Sequence, residues 1–136
     1  MQMPEQPTTL LFSSCGMNCL ICSQYLKWKN PCPGCNSGDS NKPLHCRTCA
    51  ILQCAREKTV EYCFLCVEFP CPKLKNLDRS YRRRYGVSLI DDSRTAEKTG
   101  ISALLENQKK QWICSICGGV VSVHDRICSE CGQKRE

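Results

Sequence analysis

The chain of 136 residues is poor in the side chains that usually build a core, with three Phe, two Trp and four Tyr. So few bulky anchors leave little apolar burial to offset chain entropy, and a staple of another kind is required. Histidine is almost missing: His45 and His124 are the only two, too few for the His-and-carboxylate set of a hydrolytic metal centre. There is no Gly-rich phosphate loop and no nucleophile–base pattern, so catalysis is not the expected role and no catalytic residue is assigned. No stretch approaches the roughly 20 apolar residues needed to cross a bilayer, so no membrane partner is expected. The start, Met1-Gln2-Met3-Pro4-Glu5, has neither the basic residues nor the apolar segment of a secretion signal, and the expected location is the cytoplasm.

Cysteine is the residue in excess, at 15 of 136. An odd count is awkward for a disulfide scaffold. Six C-x2-C pairs point instead to metal, because adjacent thiolates in such a knuckle converge on one ion. The reading is a reduced, zinc-bound chain holding two to four ions. The formal charge of +6 treats every cysteine as neutral. A divalent ion with four thiolates carries a charge of about −2, so three such sites cancel the excess. Overall charge therefore gives no argument for nucleic acid.

The expected fold class is a small metal-stabilised α+β chain. A flexible lead over 1–12 precedes a cysteine-rich zinc-knuckle domain over 13–73, a helical bridge over 74–111 and a C-terminal zinc ribbon over 112–136. In the bridge, Pro72 suits a first helical turn and Leu74, Leu77, Tyr81 and Tyr85 recur at helical spacing up to Gly86. Asp91, Asp92 and Ser93 supply a second helix start and Gly100 its stop. Ser102 can cap a third helix whose inner face is Leu104, Leu105 and Gln108, running into Trp112.

The C-terminal ligand set is Cys114, Cys117, Cys128 and Cys131, two C-x2-C-G knuckles ten residues apart. The glycine after each second cysteine permits the sharp turn that aims amide N–H groups at sulfur. Val120, Val121 and Val123 can form a strand of the intervening hairpin. His124 falls outside the ligand frame and is expected at the surface. In the N-terminal region, Cys19/Cys22, Cys32/Cys35, Cys46/Cys49 and Cys63/Cys66 suffice for two four-cysteine sites. Cys15, Cys54 and Cys71 remain; they either complete a third set with His45 or are buried as small apolar residues. The pairing, sequential or interleaved, stays open. Cys46-x2-Cys49-x4-Cys54 and Cys63-x2-Cys66-x4-Cys71 repeat one spacing 17 residues apart. Cys15-x3-Cys19-x2-Cys22 matches the cluster-binding spacing of radical S-adenosylmethionine enzymes, but those resemble α/β barrels needing about 200 residues. An iron–sulfur cluster remains the minor alternative to zinc, since thiolate ligands serve both.

Tyr81-Arg82-Arg83-Arg84-Tyr85 is the one dense basic run. It can contact phosphates with its tyrosines stacking on bases, or be a solvated helix face whose tyrosines turn inward.

Cys15-Gly16-Met17-Asn18-Cys19-Leu20-Ile21-Cys22 followed by Tyr25, and Cys32-Pro33-Gly34-Cys35, resemble the opening of the prokaryotic domain-of-unknown-function family 3795. Cys49-Ala50-Ile51-Leu52-Gln53-Cys54-Ala55, then Cys63-Phe64-Leu65-Cys66-Val67-Glu68-Phe69-Pro70-Cys71, continue the likeness. Gly100 through Gln108, Trp112 and the last four cysteines are similar to longer members that append a zinc ribbon. Members often carry Arg where this chain has Leu52, which touches no proposed ligand. The resemblance implies a prokaryotic, metal-binding protein with no established activity. The expected function is a zinc-stabilised binding module acting on a protein partner. The alternatives are a nucleic-acid binder using the helix around 79–85, and a redox or metal-trafficking protein with exposed thiolates among Cys15, Cys54 and Cys71.

Overall fold

The computed structural model describes residues 1–36, 42, 46 and 49–135. The helices in chain order are α1 (Ser23–Leu26), α2 (Ala50–Glu57), α3 (Pro72–Tyr85), α4 (Leu89–Thr99) and α5 (Ile101–Trp112), with 3-10 turns at Thr9–Leu11, Cys19–Ile21 and Cys63–Leu65.

The helical bridge follows its predicted punctuation closely. Pro72 opens α3, where a missing N–H costs nothing. Gly86 closes it in the left-handed conformation, with its N–H on Arg82 O. Helix α4 starts two residues ahead of the Asp91-Asp92-Ser93 signal, because Ser88 is extended and its side chain accepts from Asp91 N. The two aspartates thus fall in the first turn, where the helix dipole favours them. Gly100 ends α4 and also precedes Ile101, so α5 begins without the expected Ser102 cap. The face Leu104, Leu105, Gln108 and Trp112 is buried as its spacing requires.

A buried carboxylate locks α3 to α4. Asp78 on the inner face of α3 accepts from Ile90 N (3.0 Å), Ser88 Oγ (2.8 Å) and Arg82 Nε (2.7 Å). Burial alone would raise its pKa, but these donors together hold it below the usual carboxylate range.

The apolar core is larger than the aromatic count implies because it is mainly aliphatic. Leu11, Met17, Leu20, Ile21 and Leu26 pack with Leu89, Trp112, Val120, Val121 and Val123 in one cluster. Cysteine-rich segments from both ends of the chain therefore share an interior. Burial of each such side chain stabilises by about 1.5–3 kcal/mol. Phe12, Tyr62, Ala96, Leu104 and Leu105 form a second cluster, and Ile51, Leu74 and Ile90 a third.

The β contribution is slight. Among the described residues the pairings are isolated antiparallel bridges, including Ile113–Val120, Val121–Cys128 and Ile127–Lys134 in the C-terminal segment. The first residues run alongside it: Gln2 bridges Gly119, Met3 N donates to Gly118 O (3.1 Å), and the terminal ammonium lies 2.7 Å from Glu130. The molecule is a small cysteine-rich chain of helices with few strand pairings.

Candidate metal centre

The two C-terminal knuckles meet. The sulfurs of Cys114, Cys117, Cys128 and Cys131 all lie within 4.8 Å of one another. Cys114 and Cys131 are 3.9 Å apart, and Cys117 and Cys128 3.6 Å. An ion bound tetrahedrally about 2.3 Å from each sulfur separates the sulfurs by about 3.8 Å, so the set fits a thiolate-bound metal such as zinc.

Backbone geometry explains the convergence. Gly118 and Gly132 both have positive φ, 75° and 76°, a conformation that costs other residues about 1–2 kcal/mol. Their N–H groups return to Cys114 O and Cys128 O, each at 3.0 Å. One further amide donates to a sulfur of each knuckle: Gly119 N, just past the first, to Cys117 Sγ, and Glu130 N, within the second, to Cys128 Sγ, both at 3.4 Å. The amides of Cys117 and Ile116 lower the Cys114 pKa to about 7, favouring the thiolate that a metal requires.

Gly119 is a site residue that the sequence reading passed over. A Cβ there would stand 2.6 Å from Glu130 Cβ, 2.8 Å from Cys128 Sγ and 3.3 Å from Cys117 Sγ. Only glycine lets the backbone lie this close to the sulfurs. The Gly118-Gly119 doublet was the available signal, but one turn glycine already accounted for half of it.

Ten of the other eleven cysteines line two cavities. Cys15, Cys19, Cys22, Cys35, Cys46 and Cys49 line a cavity of about 490 Å³. Cys54, Cys63, Cys66 and Cys71 line one of about 20 Å³. Cys32 is buried and lines neither cavity. Cys35 N donates to Cys19 Sγ at 3.4 Å, and the hydrogen bond shared between these two side chains, followed by burial, raises the Cys35 pKa. Burial raises Cys15 to about 11. Among the described residues, no N-terminal set of three ligand atoms closes within 4.8 Å as the C-terminal set does. Cys15 lines the larger cavity, whereas Cys54 and Cys71 line the smaller, so the three leftover cysteines of the sequence stand at different places. His45 lies outside the described residues.

His124 departs from expectation. It is half-buried and tied into the interior, not free at the surface. Nδ1 accepts from Ser23 N and Nε2 meets Tyr81 OH, both at 3.1 Å, while the Tyr85 ring packs edge-on 4.9 Å away. Burial lowers its pKa, keeping it neutral. The same contacts answer the basic run: Tyr81 and Tyr85 turn inward, and Arg82 is paired with Asp78 and Asp91. Both tyrosines are partly buried against His124, and Arg83 and Arg84 face solvent.

Two residues of the first cysteine motif act in packing. Gly16, at φ 96°, lies so close to α4 that a Cβ would sit 2.3 Å from Ser93 Oγ and 2.5 Å from Leu89 O. Asn18 caps the 19–21 turn through Leu20 N (3.0 Å) and donates to Gln108 Oε1 (2.9 Å), whose amide reaches Asp92 (3.1 Å). The non-cysteine positions of the motif thus dock the knuckle on α4 and α5.

No curated protein and no solved structure matches the chain. Residues 11–76, the segment that holds the eleven N-terminal cysteines and the start of α3, match the family model described as protein of unknown function (DUF3795), and this part of the chain is similar to that family.

Proposed function

We infer that the protein is a zinc-stabilised binding module that contacts a protein partner through its knuckle loops. The metal is structural, and the C-terminal segment is a zinc ribbon. Four thiolates complete a tetrahedral shell and leave no position for water or substrate, which is the pattern of a structural rather than a catalytic zinc site. Fifteen unpaired thiols suit the reducing cytoplasm, and the family likeness suits a prokaryotic source.

The observation that carries the reading is the chemistry of the loop tips. Each of two C-x2-C loops lifts an apolar side chain into water: Ile116 between Cys114 and Cys117 is 69% exposed, and Leu65 between Cys63 and Cys66 is 55% exposed. Val67 is fully exposed beside Leu65, and Trp28 is 82% exposed. Held rigid by sulfur–metal bonds, such side chains are low-entropy anchors of the kind that dominate protein interfaces.

The test is photo-crosslinking in cells from the host organism, with a photoreactive residue at position 65, 67 or 116 and a control at exposed Lys98. One recurring protein adduct at the knuckle positions, lost in Leu65→Asp and Ile116→Asp proteins of unchanged zinc content, is the expected result. Adducts no different from the Lys98 control refute the reading. Adducts to RNA or DNA that vanish in Arg83→Glu/Arg84→Glu assign the protein to nucleic acid instead.

A further inference from the structure

Resting on the metal-stabilised reading above, we propose that Cys54, Cys63, Cys66 and Cys71 share one soft divalent cation, zinc by preference, as a second closed four-thiolate site. The argument begins with the chain between α2 and α3. The segment 58–71 has almost no interior of its own: the Cys63–Leu65 turn buries nothing, and Leu65 and Val67 face water. Tyr62, Phe64 and Phe69, with the side chains of Cys63 and Cys71, are its contacts with the neighbouring clusters. Ordering one residue costs about 1–2 kcal/mol, so a loop of this length needs an anchor beyond those rings.

Four thiol side chains supply it. Cys54 stands in the last part of α2, Cys63 and Cys66 flank the 3-10 turn, and Cys71 is the residue that caps the N-terminus of α3. Three separate elements thus bring a cysteine to the lining of one cavity of about 20 Å³, and because no three of these sulfurs stand within 4.8 Å of one another, ligation requires their side chains to close inward on the ion. A void of that size takes a single water-sized sphere, which suits one ion. The apolar part of the lining is Ala55, Val60, Phe69 and Leu74, so no side-chain carboxylate or imidazole competes for the position. Soft ligands alone select a soft cation.

Charge around the cavity agrees with the assignment. Lys58 Nζ lies 3.7 Å from Cys66 Sγ and is paired with Glu68. The amide end of α3 begins at Cys71. The ammonium donates toward sulfur while sharing its charge with Glu68, and the helix end adds a positive partial charge, so together they offset part of the net charge of about −2 on an ion with four thiolates. On binding, each thiol releases its proton to solvent as its sulfur–metal bond forms, so no redox partner is involved. The site also divides the chain's remaining cysteines: six stay with the larger cavity, and the matching spacings of 46–54 and 63–71 no longer imply matching sites.

The test uses the full-length, zinc-loaded protein. Zinc is withdrawn stepwise with a chelator, aliquots are alkylated, and each cysteine is followed by peptide mass spectrometry. Cys54, Cys63, Cys66 and Cys71 are expected to be protected by about tenfold or more in rate when loaded and to lose protection in one common step. In parallel, Cys63→Ser and Cys71→Ser each lower the zinc content by one equivalent, and the double variant lowers it by the same one. Should any of the four react in the loaded protein as fast as after chelation, or lose protection in a separate step, the shared site is refuted; the wild-type measurement decides even if a variant fails to fold. Protection at Cys114, Cys117, Cys128 and Cys131 with the other four free overturns this proposal alone. A chain that holds no zinc anywhere overturns the metal-stabilised reading with it.

Discussion

Substituting Gly119 with Ala tests whether the sulfur cradle is as tightly closed as its distances require. All four ligands remain, so any loss of metal affinity comes from the added methyl. That methyl would meet Glu130 Cβ at 2.6 Å and Cys128 Sγ at 2.8 Å, where optimal carbon contacts are about 3.5–4.0 Å. Roughly 1 Å of overlap on two atoms has to be relieved. One of these is an ion ligand and the other sits on the knuckle backbone, so neither can swing aside as a side-chain end would. Overpacking of this kind costs about 1–3 kcal/mol, and the cost falls on the metal-bound form because the shell must widen. The expected result is zinc affinity lower by about 5- to 150-fold, measured by competition against a chromophoric chelator. Gly118→Ala is the comparison: its neighbour is the flexible Gln2 side chain at 3.3 Å, so only the φ strain of about 1–2 kcal/mol applies. Wild-type affinity in Gly119→Ala, within twofold, refutes the reasoning.

Removing metal should loosen the interior as well as the loops, since Val120, Val121, Val123 and Cys128 belong to the cluster around Trp112. With zinc at 1,000 times its dissociation constant the linked stabilisation is about 4 kcal/mol; an unfolding midpoint that does not move on chelation contradicts this. Gly16→Ala should cost about 2–4 kcal/mol in denaturant unfolding, because the new methyl strikes the Leu89 carbonyl as well as Ser93 Oγ. Adding Ser93→Gly should recover only the hydroxyl's share, and full recovery would show that the backbone contact is unimportant. Asp92 is the pH-sensitive group: burial raises its pKa to about 6, above the unfolded value, so its carboxylate opposes folding above that pH and the penalty fades as pH falls toward 4. Asp92→Asn should therefore stabilise by about 1 kcal/mol at pH 7, discounted for partial exposure, with the gain shrinking below pH 6; destabilisation at pH 7 would sink the assignment.

Much of this protein was legible in one dimension because its determinants are local. A C-x2-C-G knuckle carries its own turn, so Cys114, Cys117, Cys128 and Cys131 could be named as a set before any packing was known. The same holds for Pro72 and Gly86 around α3, and for the buried face from Leu104 to Trp112. Three-dimensional packing decided the rest, because those contacts join residues that spacing cannot relate. Ser23 meets His124 across 101 positions, Gly16 is fitted against Ser93 and Leu89, and the aliphatic cluster draws on both ends of the chain. Which N-terminal thiols face which cavity belongs to this second kind. Ligand spacing states that sulfurs can converge, whereas the direction in which α2, the 63–65 turn and the start of α3 present them depends on how those elements pack.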